Sequence, residues 1–250
     1  MGTSTSSRGP SGTSPLVPPW ADKDGLGPGP APEPQRFQGF RTSLGRFVSS
    51  GDGAQLRAAI GRYARTATGG RAVGPRRFGS MAQTGGALFD AMSAFRDGND
   101  AAGLDLAALN GRDTDAVIDA IVHALVPPDG DADRVRVAMN EALSECLEGY
   151  EEFDFSSITD EMLVSMMLAY VRNCVFGQIV LDSNEAFSKG SPARIEMAEK
   201  ELRALVDAAV DKHMRPILSG KVRSFTGKQL EQVQLDATRE IWAEWEAYEP

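Results

Sequence analysis

Beyond residue 50, apolar residues recur along most of the chain at helical spacing, and nowhere do they alternate with the period of two that a half-buried strand requires. Leu56, Ile60, Tyr63 and Ala64 fall on one face of a helix predicted over 53–67. Asp52 or Ser50 can accept its first free N–H groups, and Gly69-Gly70 stops it. A second helix is predicted over 75–96, with Phe78, Met81, Leu88, Phe89, Met92 and Phe95 inward. Gly79, Gly85 and Gly86 let another backbone approach it closely, and Gly98-Asn99-Asp100 ends it.

The same signals continue to the C-terminal end. Asp113 or Thr114 opens a helix that turns Val117, Ile118, Ile121, Val122 and Leu125 inward and halts at Pro127-Pro128. Asp131-Ala132-Asp133 opens another, and an acidic, aromatic connection follows over 148–155. Ser156 to Glu161 then starts a central helix, where hydroxyls cap and acids oppose the positive end of the dipole. Its apolar residues from Met162 to Leu181 cover most of the circumference, which predicts enclosure by other helices. Ser191-Pro192 begins a helix with an inward stripe of Ile195, Ala198, Leu202, Leu205, Val206 and Ala209. Thr226-Gly227-Lys228-Gln229 fits a capping box that opens the last helix. The fold expected is all-α: an irregular helical bundle preceded by a disordered Gly/Pro/Ser-rich N-terminal arm. Residues 1–35 read as arm and linker, 36–98 as an Arg-rich helical segment and 99–250 as an acidic helical bundle.

The arm breaks the pattern. From Gly2 to Pro15 there is no large apolar residue, so burial cannot offset an ordering cost of roughly 1–2 kcal/mol per residue. The small residue at position 2 predicts removal of Met1, leaving Gly2 with a free, unhindered amine. At the base of the arm, Leu16-Val17-Pro18-Pro19-Trp20 is a stiff apolar patch suited to anchoring in a groove. Alternating Pro and Gly over 21–35 predict a solvated, partly extended linker.

Charge changes this picture more than composition does. The formal net charge is −9, but residues 1–80 hold 11 basic against 4 acidic side chains, and the remaining 15 and 31 lie beyond them. Within 36–77 stand nine arginines, no lysine and one acid, Asp52. Arg36, Arg41, Arg46, Arg57, Arg62, Arg65, Arg76 and Arg77 are therefore candidates for contact with nucleic acid or with an acidic protein surface, since Arg with interleaved Phe and Tyr can hold phosphates and stack on bases.

Other chemistry is thinly represented. Cys146 and Cys174 lie in helical patterns among apolar neighbours and read as free thiols in a cytoplasmic protein, where no secretory segment is apparent. His123 and His213 stand alone on their helices, and no His-x-x-x-His, Cys-x-x-Cys, Gly-x-Ser-x-Gly or phosphate-loop pattern occurs. No catalytic residue, metal site or cofactor is expected, and the chain does not read as an enzyme. Gly2 and Ser6 formally fit a myristoylation pattern, but one acyl chain binds membranes marginally and no membrane role is expected.

Three stretches in fixed order carry a resemblance: Met1 to Ser6, Pro15 to Trp20, and Arg41-Thr42-Ser43-Leu44-Gly45-Arg46-Phe47-Val48-Ser49-Ser50-Gly51-Asp52. Together they resemble the B component of bacterial Qat anti-phage systems over roughly the first 90 residues, and the rest is compatible. The resemblance implies an operon with a P-loop ATPase, a QueC-like enzyme and a TatD-like nuclease as partners. It further implies that the QueC-like enzyme, which activates a deazaguanine carboxylate with ATP, joins it to the amine of Gly2 in place of ammonia. Thr3, Ser4, Thr5 and Ser6, with Leu16, Val17 and Trp20, would then be the stretch that the enzyme recognises.

Overall fold

A computed structural model describes residues 13–22 and 25–248. Among these residues the secondary structure is helical. The only β pairing is two isolated bridges, Ala101 with Leu104 and Asp113 with Glu152. The expected all-α class is what the structure has. In chain order the helices are α1 (Gln38–Ser50), α2 (Gly53–Arg62), α3 (Gly79–Arg96), α4 (Leu106–Leu109), α5 (Thr114–Leu125), α6 (Ala132–Cys146), α7 (Asp160–Ser183), α8 (Pro192–Leu218) and α9 (Gly227–Glu246). The chain divides into two compact units. One holds residues 1–77, 176–206 and 239–250, and the other holds 78–175 and 207–238.

The first unit begins with α1, which carries the interleaved Arg and Phe residues. Phe40, Leu44, Phe47 and Val48 are buried along it, and its end is set by Gly51, whose left-handed φ of 74° lets its N–H reach the Phe47 carbonyl at 2.7 Å. Asp52 caps α2 as expected, accepting from the Ala54 amide at 2.9 Å. The helix predicted over 53–67 is α up to Arg62 and then widens into a π turn, Tyr63–Ala67. Thr68 closes that turn by donating its hydroxyl to the Tyr63 and Ala64 carbonyls at 3.0 and 3.1 Å. Ser191 caps α8, and a 3-10 turn, Asn184–Lys189, precedes it.

The second unit is organised around α3. Gly86 meets the backbone of Gly227 so closely that a Cβ there would lie 2.4 Å from the Gly227 carbonyl oxygen. Asp90 accepts the Gly227 amide at 2.6 Å, the Tyr170 hydroxyl donates to the Met81 carbonyl at 2.8 Å, and Gln234 donates to the Ala82 carbonyl at 3.2 Å. The capping box forms as its sequence implies, with the Thr226 amide on the Gln229 side chain at 2.9 Å and the Gln229 amide on the Thr226 hydroxyl at 3.3 Å. Asp113 caps α5, and Asp160 of α7 pairs with Arg96 at 3.0 Å and Arg223 at 2.7 Å. The stretch Asp160–Lys189 has the length and apolarity to cross a membrane, but 72% of its apolar window is buried, as the enclosed central helix of the sequence reading requires.

Gly86→Ala is expected to destabilise this unit. Alanine adds about 1 kcal/mol of helix propensity, but overpacking against a fixed backbone costs about 1–3 kcal/mol, and here the contact is with a carbonyl that cannot swing aside. Urea denaturation reads the outcome, and a midpoint equal to or above that of the parent chain would contradict the packing described.

Candidate functional site

The sequence reads 16–20 as an apolar patch suited to a groove and 21–35 as a solvated linker; the structure lays Leu16 and Val17, with the start of the linker, down as a strap on the first unit. Leu16, Val17 and Ala21 are buried there. Leu16 takes the space over Gly69, which a side chain at that position would fill, and Gly69 has the left-handed φ of 83° that only glycine adopts without strain. The Val17 amide donates to the Pro28 carbonyl at 3.3 Å, so the strap doubles back. Asp22 holds the turn by accepting from the Leu26 and Gly27 amides, at 3.2 and 2.6 Å, and from Arg76 at 2.7 Å. The sequence suggests the anchoring but not its place or the fold-back, because the partners lie some fifty positions away. Trp20 remains 41% exposed, so of the three apolar residues named as a recognition patch only one is offered to solvent.

Arg76 holds the Asp22 carboxyl below the ordinary carboxylate range, chiefly through its hydrogen bond. A carboxyl depressed in the folded state contributes stability that is complete above the unfolded value, near 4, and fades as pH falls through the lower folded value. Exchange of the Val17 amide should therefore accelerate as pH drops below 4, beyond the intrinsic rate, and Asp22→Asn should remove that dependence. An exchange profile identical in the two proteins would contradict the Asp22–Arg76 clasp.

The Arg-rich stretch is largely turned inward. Arg77 and Asp182 form a fully buried ion pair at 2.8 Å. Tyr63 donates its hydroxyl to Asp182 at 2.8 Å, and Gln178 donates to it at 2.9 Å. Arg41 gives its Nε–H to the Asp182 carbonyl at 2.8 Å. Arg62 donates to the Ser43 hydroxyl, and Arg65 to the Glu246 carbonyl and, at 2.7 Å, to that of Tyr248. Arg36 is buried, with its guanidinium over the Phe37 ring. Of the eight candidate arginines, Arg46 and Arg57 are exposed. The spacing of Arg and Phe does not distinguish an outward basic surface from an inward anchor. For Arg77 and Arg41 what decides it is Asp182, an acid at the end of the most apolar helix and 105 positions from Arg77 in sequence, which the sequence alone does not single out. Its signal, in hindsight, is a lone carboxylate directly after the apolar run that ends at Leu181.

Two open clefts flank α1. One, of about 620 Å³, is lined by Thr13, Gln35, Phe37, Gln38, Arg41 and Thr42. The other, of about 720 Å³, includes Arg41, Arg46, Ser49, Gln55 and Lys189. Gly2, Thr3, Ser4, Thr5 and Ser6 lie outside the described residues. Among the described residues, no cluster of His, Cys, Asp and Glu has the makings of a metal centre. His123 is exposed and His213 half-buried on their helices. Cys146 and Cys174 are free thiols, and burial pushes each up to about 12. At pH 8 only roughly one thiol in 10⁴ is then ionised, so both should resist alkylation in the native protein and react once it is unfolded. Rapid labelling of either under native conditions, read by intact mass, would contradict that placement.

A family model described as Qat anti-phage system associated protein QatB matches residues 69–244. No curated protein and no solved structure matches the chain.

Proposed function

The chain belongs to the QatB family of Qat anti-phage system associated proteins, and from that membership we propose that it is the protein substrate of a QueC-like enzyme, modified with a deazaguanine on the amine of Gly2. Family membership is the observation that supports this reading most strongly. The chemistry is balanced. The deazaguanine carboxylate attacks the α-phosphorus of ATP, giving the acyl adenylate as the α–β bond breaks and pyrophosphate leaves, and the neutral amine of Gly2 then attacks the acyl carbon. The new C–N amide bond forms as the C–O bond to AMP breaks, and the amine loses a proton. A terminal amine has a pKa near ~7.7–8.0, so an appreciable fraction is nucleophilic at neutral pH, whereas a lysine near ~10.4 is almost wholly protonated. Glycine adds no side chain to hinder the approach.

The strap supplies the second line of support. Leu16 and Val17 are buried on the first unit, and Thr13, three residues before them, lines a cleft there. Leu16 and Val17 act in this reading by holding the base of the arm, while Trp20 and Thr3 to Ser6 are the contacts left for the enzyme. The chain contributes no catalysis of its own and works inside the bacterial cell, assembled with the P-loop ATPase and the TatD-like nuclease of the same operon.

The test is a peptide map of the protein produced together with the QueC-like enzyme. The peptide ending at Arg8 is expected to carry the added deazaguanine acyl group on Gly2. An adduct on a lysine, or none, would overturn the reading. A nucleic-acid adaptor built on residues 36–77 is the competing reading, and its exposed arginines are Arg46, Arg57 and Arg71. Three phosphate contacts on a single strand give a salt slope of only about −2, too shallow for tight binding at cellular salt.

A further inference from the structure

A third cleft in the first unit, of about 800 Å³, lies between α2 and the stretch that follows α9. Arg46 of α1 and Arg57 and Arg62 of α2 line it, Ala54 and Ala58 add small apolar surface, and Tyr248 brings an aromatic ring. No acidic side chain among the described residues is part of its lining. Glu244, which accepts the Tyr248 hydroxyl at 3.2 Å, stands outside it.

Packing sets these groups in place. Gly61 of α2 leaves room for the end of the chain, since a Cβ there would lie 2.9 Å from the Tyr248 carbonyl oxygen. Arg65 donates to that same carbonyl at 2.7 Å, which holds Tyr248 against α2. Burial and Glu244 raise the Tyr248 phenol, and Arg57 opposes them, so the Arg57 charge acts directly on this ring. Arg62 lies against Gly39, where a Cβ would be 3.2 Å from its Cδ, and gives one donor to the Ser43 hydroxyl. Its other guanidinium nitrogens have no partner among the described residues and are not sealed from solvent. The side chains of Arg46 and Arg57 are exposed and have no hydrogen-bond or ion-pair partner among the described residues. Three cations along one concave wall, with no acid between them, concentrate positive potential in the cleft.

We propose that this cleft binds a nucleoside diphosphate, with Arg46, Arg57 and Arg62 on the phosphates and Tyr248 against the base. A terminal phosphate carries about −1.5 to −2 charges near neutral pH, so with the inner phosphate the ligand brings about −3, the balance of three guanidinium groups. The forked donors of arginine match phosphate oxygens, and no lysine lines the cleft. A flat base gives the Tyr248 ring a face to stack on, which an acidic peptide does not supply. The volume falls within the roughly 300–1,000 Å³ of small-molecule sites.

The experiment is equilibrium dialysis of the full chain against labelled ADP at physiological salt, with pyrophosphate and poly-glutamate as competitors. The wild type is expected to take up one ADP per chain, and Arg46→Gln with Arg57→Gln to weaken uptake about tenfold or more. Both arginines are exposed, so the variant keeps the fold. Tyr248→Leu should weaken ADP about fivefold or more while leaving competition by pyrophosphate unchanged, because only the nucleotide has a base to stack. Arg71→Gln, an exposed arginine outside the cleft, should bind as the wild type does. No uptake at millimolar ADP, undiminished uptake in the double arginine variant, or an equal loss in Arg71→Gln would overturn the site. An unchanged ADP affinity in Tyr248→Leu, or poly-glutamate displacing ADP more effectively than pyrophosphate does, would overturn the nucleotide in favour of a plain anion or an acidic protein. The cleft includes no residue of the N-terminal arm, so this result and modification at Gly2 stand or fall separately.

Discussion

Asp182→Ala is expected to destabilise the protein by about 3–5 kcal/mol, because it leaves the Arg77 guanidinium buried without a counter-charge. That is a large fraction of the roughly 5–15 kcal/mol that separates folded from unfolded states in ordinary domains. Tyr63 and Gln178 lose their acceptor in the same step, and a buried donor left unpaired adds to the cost. The number does not measure what the ion pair contributes. A buried pair exchanged for apolar residues of similar volume is often neutral or stabilising, so the double variant Asp182→Leu with Arg77→Met should recover much of the loss. Guanidinium denaturation of the three proteins separates these cases. A loss below about 1 kcal/mol in the single variant would mean that Arg77 finds water or another acceptor, and that Asp182 is not the anchor described here.

Trp242→Ala should cost a comparable amount, about 3–5 kcal/mol, for a different reason. The indole is fully buried, its ring centre 6.1 Å from that of Tyr63 and 5.2 Å from that of Trp245, and its N–H donates to the Thr68 hydroxyl at 2.8 Å. Truncation removes the rings' mutual packing and opens a cavity that a unit assembled from three stretches of chain cannot readily close. Trp242→Phe retains an aromatic ring and loses the N–H, so it should cost nearer the 1 kcal/mol of a single hydrogen bond plus a smaller void. The Asp182 and Trp242 variants share a second expected effect. Thr68 and Arg77 flank the stretch on which the strap lies, so exchange of the Val17 amide should quicken in both. A Val17 amide as slow as in the parent chain would show that the strap is seated independently of the core beneath it.

The sequence carries local signals well. The caps at Asp52, Asp113 and Ser191 and the box at Thr226 and Gln229 are read from neighbouring residues and are found in the structure, because a cap needs partners only two or three positions away. The enclosure of α7 follows equally from its apolar circumference. What escaped is non-local. Arg36 to Arg77 has the composition of a basic binding surface, and partners far along the chain, Asp182 for Arg77 and Arg41 and the Glu246 and Tyr248 carbonyls for Arg65, tie part of it inward. Leu16 and Val17 read as an anchor, but the place that receives them does not show locally, because the glycine under Leu16 lies beyond two intervening helices. The π turn after Arg62 leaves no periodic trace either, since one extra residue in a turn shifts the phase just where the helix ends. Family membership was legible from two separate regions: the resemblance rests on the arm and the Arg41–Asp52 block, whereas the family match spans the helical residues 69–244.

Blocking the Gly2 amine separates modification at the N-terminus from modification anywhere else on the chain. The protein is produced with the QueC-like enzyme in two forms, one with Gly2 free and one with its amine acetylated, and each is weighed intact. A single added deazaguanine acyl group is expected on the free form and the bare mass for the blocked form. No addition to the free form, or the same addition to both, would contradict modification at Gly2.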